Sequence, residues 1–231
     1  METVGVVGGL GPESTIEYYR MLIAAYQRRS GTRTLPQILI NSIDVYRSLA
    51  MVEDGRLTEL ADYLAAAVRQ LADAGAGFAI ISANTPHLVF DEVQQRSTIP
   101  LISIVEAACA AVKQQGMIRT ALLGTRFTML AQFYPEVFAR AEITLVIPNE
   151  NEVVYIHDKY INELLQGTFL PETRERLLDI VGRMRRDEHI EGVVLAGTEL
   201  PLILTGDSAA GIPLFDTTRI HVEAAVARLF S

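Results

Sequence analysis

Short apolar runs rich in β-branched residues recur along this chain and alternate with longer stretches of helical periodicity. Strands buried on both faces read as continuous apolar runs, whereas a helix lying on a sheet shows an apolar residue every three to four positions. The runs predict strands over 5–8, 38–42, 78–82, 101–103, 120–124, 144–147, 192–196 and 214–216. Over 57–74, Leu60, Tyr63, Leu64, Ala67, Val68 and Leu71 share one face and the pattern stops before Gly75, so this interval is an amphipathic helix. Pro12 followed by Glu13, Ser14 and Thr15 opens another, because proline is tolerated in a first turn and acids favour the positive end. A helix over 217–230 closes the chain. This alternation is the signature of an α/β protein with short, mostly parallel sheets flanked by helices.

The pattern occurs twice. Gly5-Val6-Val7-Gly8 is answered by Ala121-Leu122-Leu123-Gly124, Ile80-Ile81-Ser82-Ala83-Asn84-Thr85 by Val193-Val194-Leu195-Ala196-Gly197-Thr198-Glu199, and Ile99-Pro100-Leu101-Ile102 by Ile212-Pro213-Leu214-Phe215. The order is kept and the offset is nearly constant, as expected for two copies of one α/β unit and not for a many-repeat solenoid. The predicted organisation is two lobes related by a pseudo-twofold, the first formed by 1–100 plus 215–231 and the second by 101–214. Ligands of such sheets collect at the carboxyl ends of strands, where the repeated motifs lie. A cleft between the lobes is the expected ligand site.

Composition narrows the function. With 231 residues, 49% hydrophobic and 21% charged, the chain can bury a sizeable core and is not a disordered one. A formal charge of −8 argues against a nucleic-acid surface, which needs clustered Lys and Arg, and the Arg183-Met184-Arg185-Arg186 run is followed at once by Asp187 and Glu188. No apolar run reaches the ~18 residues of a membrane span and no charged-then-apolar leader opens the sequence, so a soluble cytoplasmic protein is expected. A single cysteine excludes an internal disulfide, and the four histidines show no metal-ligand spacing. No metal is expected.

Several groups carry candidate chemistry. Gly8-Gly9-Leu10-Gly11 at a strand-to-helix turn could let a small anion or the partner lobe approach the backbone, although it does not match the dinucleotide fingerprint. Asn84-Thr85 and Thr198-Glu199 occupy equivalent strand ends, where they either fix a small carboxylate or amine, with Thr125 joining them, or cap the following helices. His87 is an acid or base near neutral pH or a hydrogen-bonded structural group, and His221 poses the same choice. Cys109 sits in an alanine-rich helical stretch and reads as a core residue.

Taken together, G-G-L-G-P-E-S-T at 8–15, A-N-T-P-H at 83–87, G-T-R-F-T at 124–128, A-G-T-E-L at 196–200 and I-P-L-F-D-T at 212–217 resemble the aspartate/glutamate racemase family over essentially the whole chain. The resemblance implies a two-lobed α/β fold, no cofactor and no pyridoxal phosphate, a homodimer, and a small amino acid or carboxylate as substrate. Inversion at carbon needs one group to take the α-proton and another to return one to the opposite face. In the family these are two cysteines, which fall here on Ala83 and Gly197; neither side chain can carry a proton. Glu199, His87, Thr85 and Ser82 are then the candidate substitutes. The implied ligand-binding set is Gly11, Arg47, Asn84, Thr85, Thr125, Lys159, Thr198 and Glu199, with Lys159 one helical turn beyond Tyr155, where the family's lysine falls. An enzyme using other acid or base groups, a lyase or isomerase among them, and a non-catalytic ligand-binding or regulatory paralogue both remain open.

Overall fold

A computed structural model describes residues 2–231. The described residues form two compact units, one comprising the chain up to Ile104 together with Thr218–Ser231, the other Val105–Thr217. Strands β1 (Val4–Gly8), β2 (Ile38–Ser42), β3 (Phe78–Ile81) and β4 (Leu101–Ile102) build the first unit, in the order β2-β1-β3-β4 with every pairing parallel. Strands β5 (Arg119–Gly124), β6 (Thr144–Val146), β7 (Gly192–Ala196), β8 (Ser208–Ala209) and β9 (Ile212–Asp216) build the second, in the order β6-β5-β7-β9-β8. Leaving out β8, the two sheets have the same connectivity. The duplicated pattern therefore corresponds to a duplicated topology.

The boundaries differ from those expected. The chain leaves the first unit after Ile104 and returns to it at Thr218, not at 100 and 215. The reason is sheet completion: β4 pairs with β3, and β9 pairs with β7, so each unit keeps the chain until its fourth parallel strand is in place. Short β8 joins β9 antiparallel as an edge that no apolar run announces.

Burial follows strand position. The central strands β1 and β7 are buried at every residue, whereas edge strand β2 is half exposed. On the first sheet, Val4, Val6, Phe78 and Ile80 pack with Tyr18, Leu22 and Tyr26 of helix Pro12–Ser30 and with Val222 and Val226 of helix Thr217–Leu229. Helix Leu57–Asp73 buries Leu60, Leu64, Val68 and Leu71, each contributing about 1.5–3 kcal/mol of apolar transfer free energy. In the second unit, Leu123, Val193 and Leu195 share a core with Val153, Ile156 and Tyr160 of helix Glu150–Asn162 and with Leu177, Ile180 and Met184 of helix Pro171–Glu188. Cys109 is buried in helix Ile104–Gln114, its sulfur 3.8 Å from the Val137 carbonyl oxygen, as a core residue should be. Among the described residues no helix is long and apolar enough to cross a membrane.

Candidate functional site

In the first unit the chain leaves β3 through Ser82, Ala83 and Asn84 into a short 3-10 helix, Thr85–Val89. All of Ser82, Ala83, Asn84, Thr85 and His87 are buried. The Ser82 hydroxyl donates to the Val7 carbonyl at 3.0 Å, and the Ser82 carbonyl accepts from the Ser14 hydroxyl at 3.0 Å, so Ser82 stitches its strand end to β1. Asn84 occupies the N-cap position without capping the helix through its side chain. The capping alternative therefore does not explain it.

His87 is held on both ring nitrogens. The Ile104 backbone N–H donates to Nε2 at 3.2 Å, which fixes the proton on Nδ1, and Nδ1 donates to the Ala83 carbonyl at 2.9 Å. Burial, and secondarily the neighbouring His221, push His87 down to about 3. His221 is wired in the same manner, Nε2–H donating to the Ile102 carbonyl at 2.8 Å and Nδ1 accepting from the Tyr18 hydroxyl at 2.9 Å. Burial pushes it down to about 4. Both imidazoles are neutral structural groups at pH 7, and their geometry disfavours His87 as a proton carrier.

The glycine turn is filled from within its own unit. A Cβ at Gly9, whose φ is +78°, would lie 2.6 Å from Ser42 Oγ and 2.7 Å from Ile43 N, and would run into the Ile43 carbonyl oxygen. The Gly9 N–H donates to Thr15 Oγ1 at 2.9 Å. Within the first unit, what approaches the Gly9 backbone is the loop after β2. Gly11, at φ 150°, precedes the Pro12 helix in a conformation that favours glycine. Arg47 lies in the first turn of helix Val45–Glu53, exposed, its guanidinium 4.5 Å over the Tyr63 ring and in no ion pair among the described residues.

In the second unit, Thr125 caps helix Arg126–Leu130 by accepting from the Thr128 N–H at 3.2 Å. The chain leaves β7 through Gly197, Thr198 and Glu199, all buried. Glu199, like Asn84, stands at an N-cap without a side-chain cap. Its Oε2 instead accepts from the Thr198 hydroxyl at 2.9 Å and from the Tyr160 phenol.

Tyr160 comes from helix Glu150–Asn162, which a capping box between Asn149 and Glu152 starts. Its ring fills the space of the missing side chain at 197: a Cβ there would lie 3.0 Å from the phenol oxygen and 3.1 Å from Cζ. Gly197 is not in the left-handed region, so the obstacle to a side chain is the tyrosine and not the backbone. Burial first, and then the Glu199 charge, push the phenol well above its ordinary value, while hydrogen bonding from the Thr198 hydroxyl and the Glu199 backbone acts in the opposite direction. Lys159, next to it on the helix, is paired with Glu163 at 2.5 Å, and Glu163 also accepts from the Thr173 hydroxyl at 2.6 Å.

Sequence reasoning missed Tyr160. Its spacing from Val153 and Ile156 is that of a core-facing stripe, and the bare Gly197 was the signal that something had to fill the place. Among the described residues no cluster of three or more His, Cys, Asp or Glu could hold a metal ion.

Comparison with known proteins agrees with this architecture. The model of the Asp/Glu/hydantoin racemase family matches residues 7–225. A Yersinia pestis protein assigned as an Asp/Glu racemase superposes with a TM-score of 0.90 at 28% identity, covering 100% of both chains. An aspartate racemase homologue from Pyrococcus horikoshii OT3 gives 0.82 at 32% identity, covering 99% of each. The broad specificity amino-acid racemase RacX of Bacillus subtilis (strain 168) is 22% identical over 96% of each chain.

Proposed function

Because the chain belongs to the Asp/Glu/hydantoin racemase family, we propose that it binds a small amino acid or carboxylate through its two strand-end frames, Asn84-Thr85 and Thr198-Glu199, and does not invert it by a pair of thiols. The observation that carries this reading is that both frames are buried while neither Asn84 nor Glu199 spends its side chain on the helix it precedes. Buried polar groups at strand ends in an α/β sheet are in the position where ligands are recognised. The family's thiol positions fall on Ala83 and Gly197, and Cys109 lies on a core helix, so no second thiol exists to complete a two-cysteine exchange. Arg47 is the proposed carboxylate anchor. The family relationship also supports a cofactor-independent homodimer in the cytoplasm, which sedimentation and activity after exhaustive dialysis would check.

The test is a melting-point screen of amino acids, dicarboxylates and hydroxy acids, drawn broadly because RacX is a broad specificity racemase. A compound at 100-fold excess over its Kd adds about 2.7 kcal/mol to the folded state, or roughly 5–10 °C for a chain of this length. At least one amino acid should raise the melting point, and Asn84→Ala and Thr198→Val should each weaken that same compound. A panel without any shift would overturn the proposal.

A further inference from the structure

The place where the second thiol would lie is occupied, and its occupant can carry a proton. A side chain at 197 would begin against the Tyr160 ring, 3.0 Å from the phenol oxygen, so the tyrosine occupies the space that such a side chain would need. That oxygen donates to Glu199 Oε2, and the Thr198 hydroxyl donates to the same carboxylate oxygen at 2.9 Å. All three side chains are buried, at 6% or less exposure. In the first unit Ala83 ends in a methyl group, Ser82 is bonded to the Val7 carbonyl, and both nitrogens of His87 are held by backbone.

We propose that Tyr160 is the proton-transfer group of the second lobe, working as a relay with Glu199, and that the protein exchanges the α-proton of a bound amino acid with retention of configuration. This rests on the reading above that position 197 is the second thiol position and that an amino acid binds there. The step balances within the protein and its ligand. The Cα–H bond breaks, its proton passes to the Tyr160 oxygen, and the Tyr160 proton passes to the Glu199 carboxylate. The electron pair stays on the ligand, delocalised into its carboxylate. While the electron pair rests on the ligand, the protons held by Tyr160 and Glu199 exchange with solvent, and reversal then delivers a solvent-derived proton to Cα on the same face. A single carrier returns a proton to the face it was taken from, so inversion does not follow. A phenol that stays protonated at neutral pH suits this cycle, since the oxygen is never required to rest as phenolate.

The full-length protein is incubated in heavy water with single enantiomers of the amino acids that raise its melting point. Loss of the α-proton signal is followed by NMR and configuration by chiral chromatography. The expected result is deuterium at Cα of the unchanged enantiomer. Tyr160→Phe, which removes one oxygen, should slow this about 10²- to 10⁴-fold while keeping the ligand-induced melting shift. Glu199→Gln gives a second, independent break of the relay and should slow it comparably; alkylating Cys109 should change nothing. Binding without exchange in the wild type overturns the relay and leaves the binding proposal standing. Exchange that survives both substitutions, or that racemises the ligand, overturns the relay as well. A panel with neither binding nor exchange removes both readings.

Discussion

At position 83 the first lobe keeps a methyl group, and the buried histidine four residues later turns both ring nitrogens to backbone. At the equivalent position 197 the second lobe keeps no side chain at all, and a tyrosine from a neighbouring helix fills the space and bonds to the carboxylate two residues on. The sheets share one connectivity, so the difference does not come from the scaffold. It comes from what the surrounding helices bring to each strand end. In one lobe the strand end meets an imidazole held by backbone on both nitrogens, in the other a phenol that donates to a carboxylate. Duplication preserves backbone geometry, because the sheet order fixes it, but the chemistry at the ends of the strands diverges freely.

The largest consequence is a pH response of the first lobe. His87 and His221 are held neutral when folded, at about 3 and about 4, against about 6.5 in the unfolded chain. Between those limits the unfolded state binds more protons, so the stability that their neutral burial permits is complete above pH 6.5 and is lost as pH falls. Each contributes at most about 1.4 kcal/mol per pH unit, so the pair can remove nearly 3 kcal/mol for each unit below pH 6. Urea titrations at pH 7, 6 and 5 should show this slope. Replacing both histidines by Gln should lower stability at pH 7 and flatten the profile; an unchanged slope in that variant would mean that other groups govern it.

A second difference should appear when cysteine is introduced at positions 83 and 197. Ala83→Cys extends a Cβ that already has its place and should cost less than about 1.5 kcal/mol. Gly197→Cys drives a Cβ into the Tyr160 ring, a backbone-anchored collision with a buried aromatic, and should cost about 1–3 kcal/mol. The structure shows that Tyr160 must move first. Denaturant midpoints of the two single variants measure the asymmetry, and equal costs would mean that the ring yields without resistance.

What was legible in the chain and what was not divides along the same line. The strands follow from continuous apolar runs and from their repetition, since a central parallel strand such as Gly192–Ala196 must be apolar on both faces. The Leu57–Asp73 helix was equally readable from its stripe. Two-residue β8 was not, having no run to betray it. Nor were the partners of His87, because a carbonyl at 83 and an N–H at 104 are backbone groups that any residue supplies. Tyr160 escaped for a related reason. Helical spacing assigns it to the core face, correctly, yet only coordinates show that its polar end meets Glu199 there. Sequence periodicity reports which way a residue points, not which group it meets.

The smallest expected effect concerns the two cations that were expected to hold ligand carboxylates, one in each lobe. Arg47 is exposed, stacked over Tyr63, and in no ion pair among the described residues, so its guanidinium can take a carboxylate without giving up another. Lys159 already holds Glu163 at 2.5 Å, and the Thr173 hydroxyl holds the second oxygen of that glutamate, which keeps the acid below its usual range, through the lysine first and the threonine next. For Lys159 to reach a ligand it would have to abandon that arrangement and leave Glu163 with only a hydroxyl. If the proposed binding mode is right, Arg47→Ala should weaken the best ligand from the melting screen about tenfold or more, as the loss of a charge-assisted hydrogen bond does. Lys159→Met should leave its affinity within about twofold. Calorimetric titration of the two variants against the wild type decides the matter. A large loss in Lys159→Met with little in Arg47→Ala would place the carboxylate anchor in the second lobe, next to Tyr160, and would move the whole recognition of charge to the lobe that also carries the movable proton.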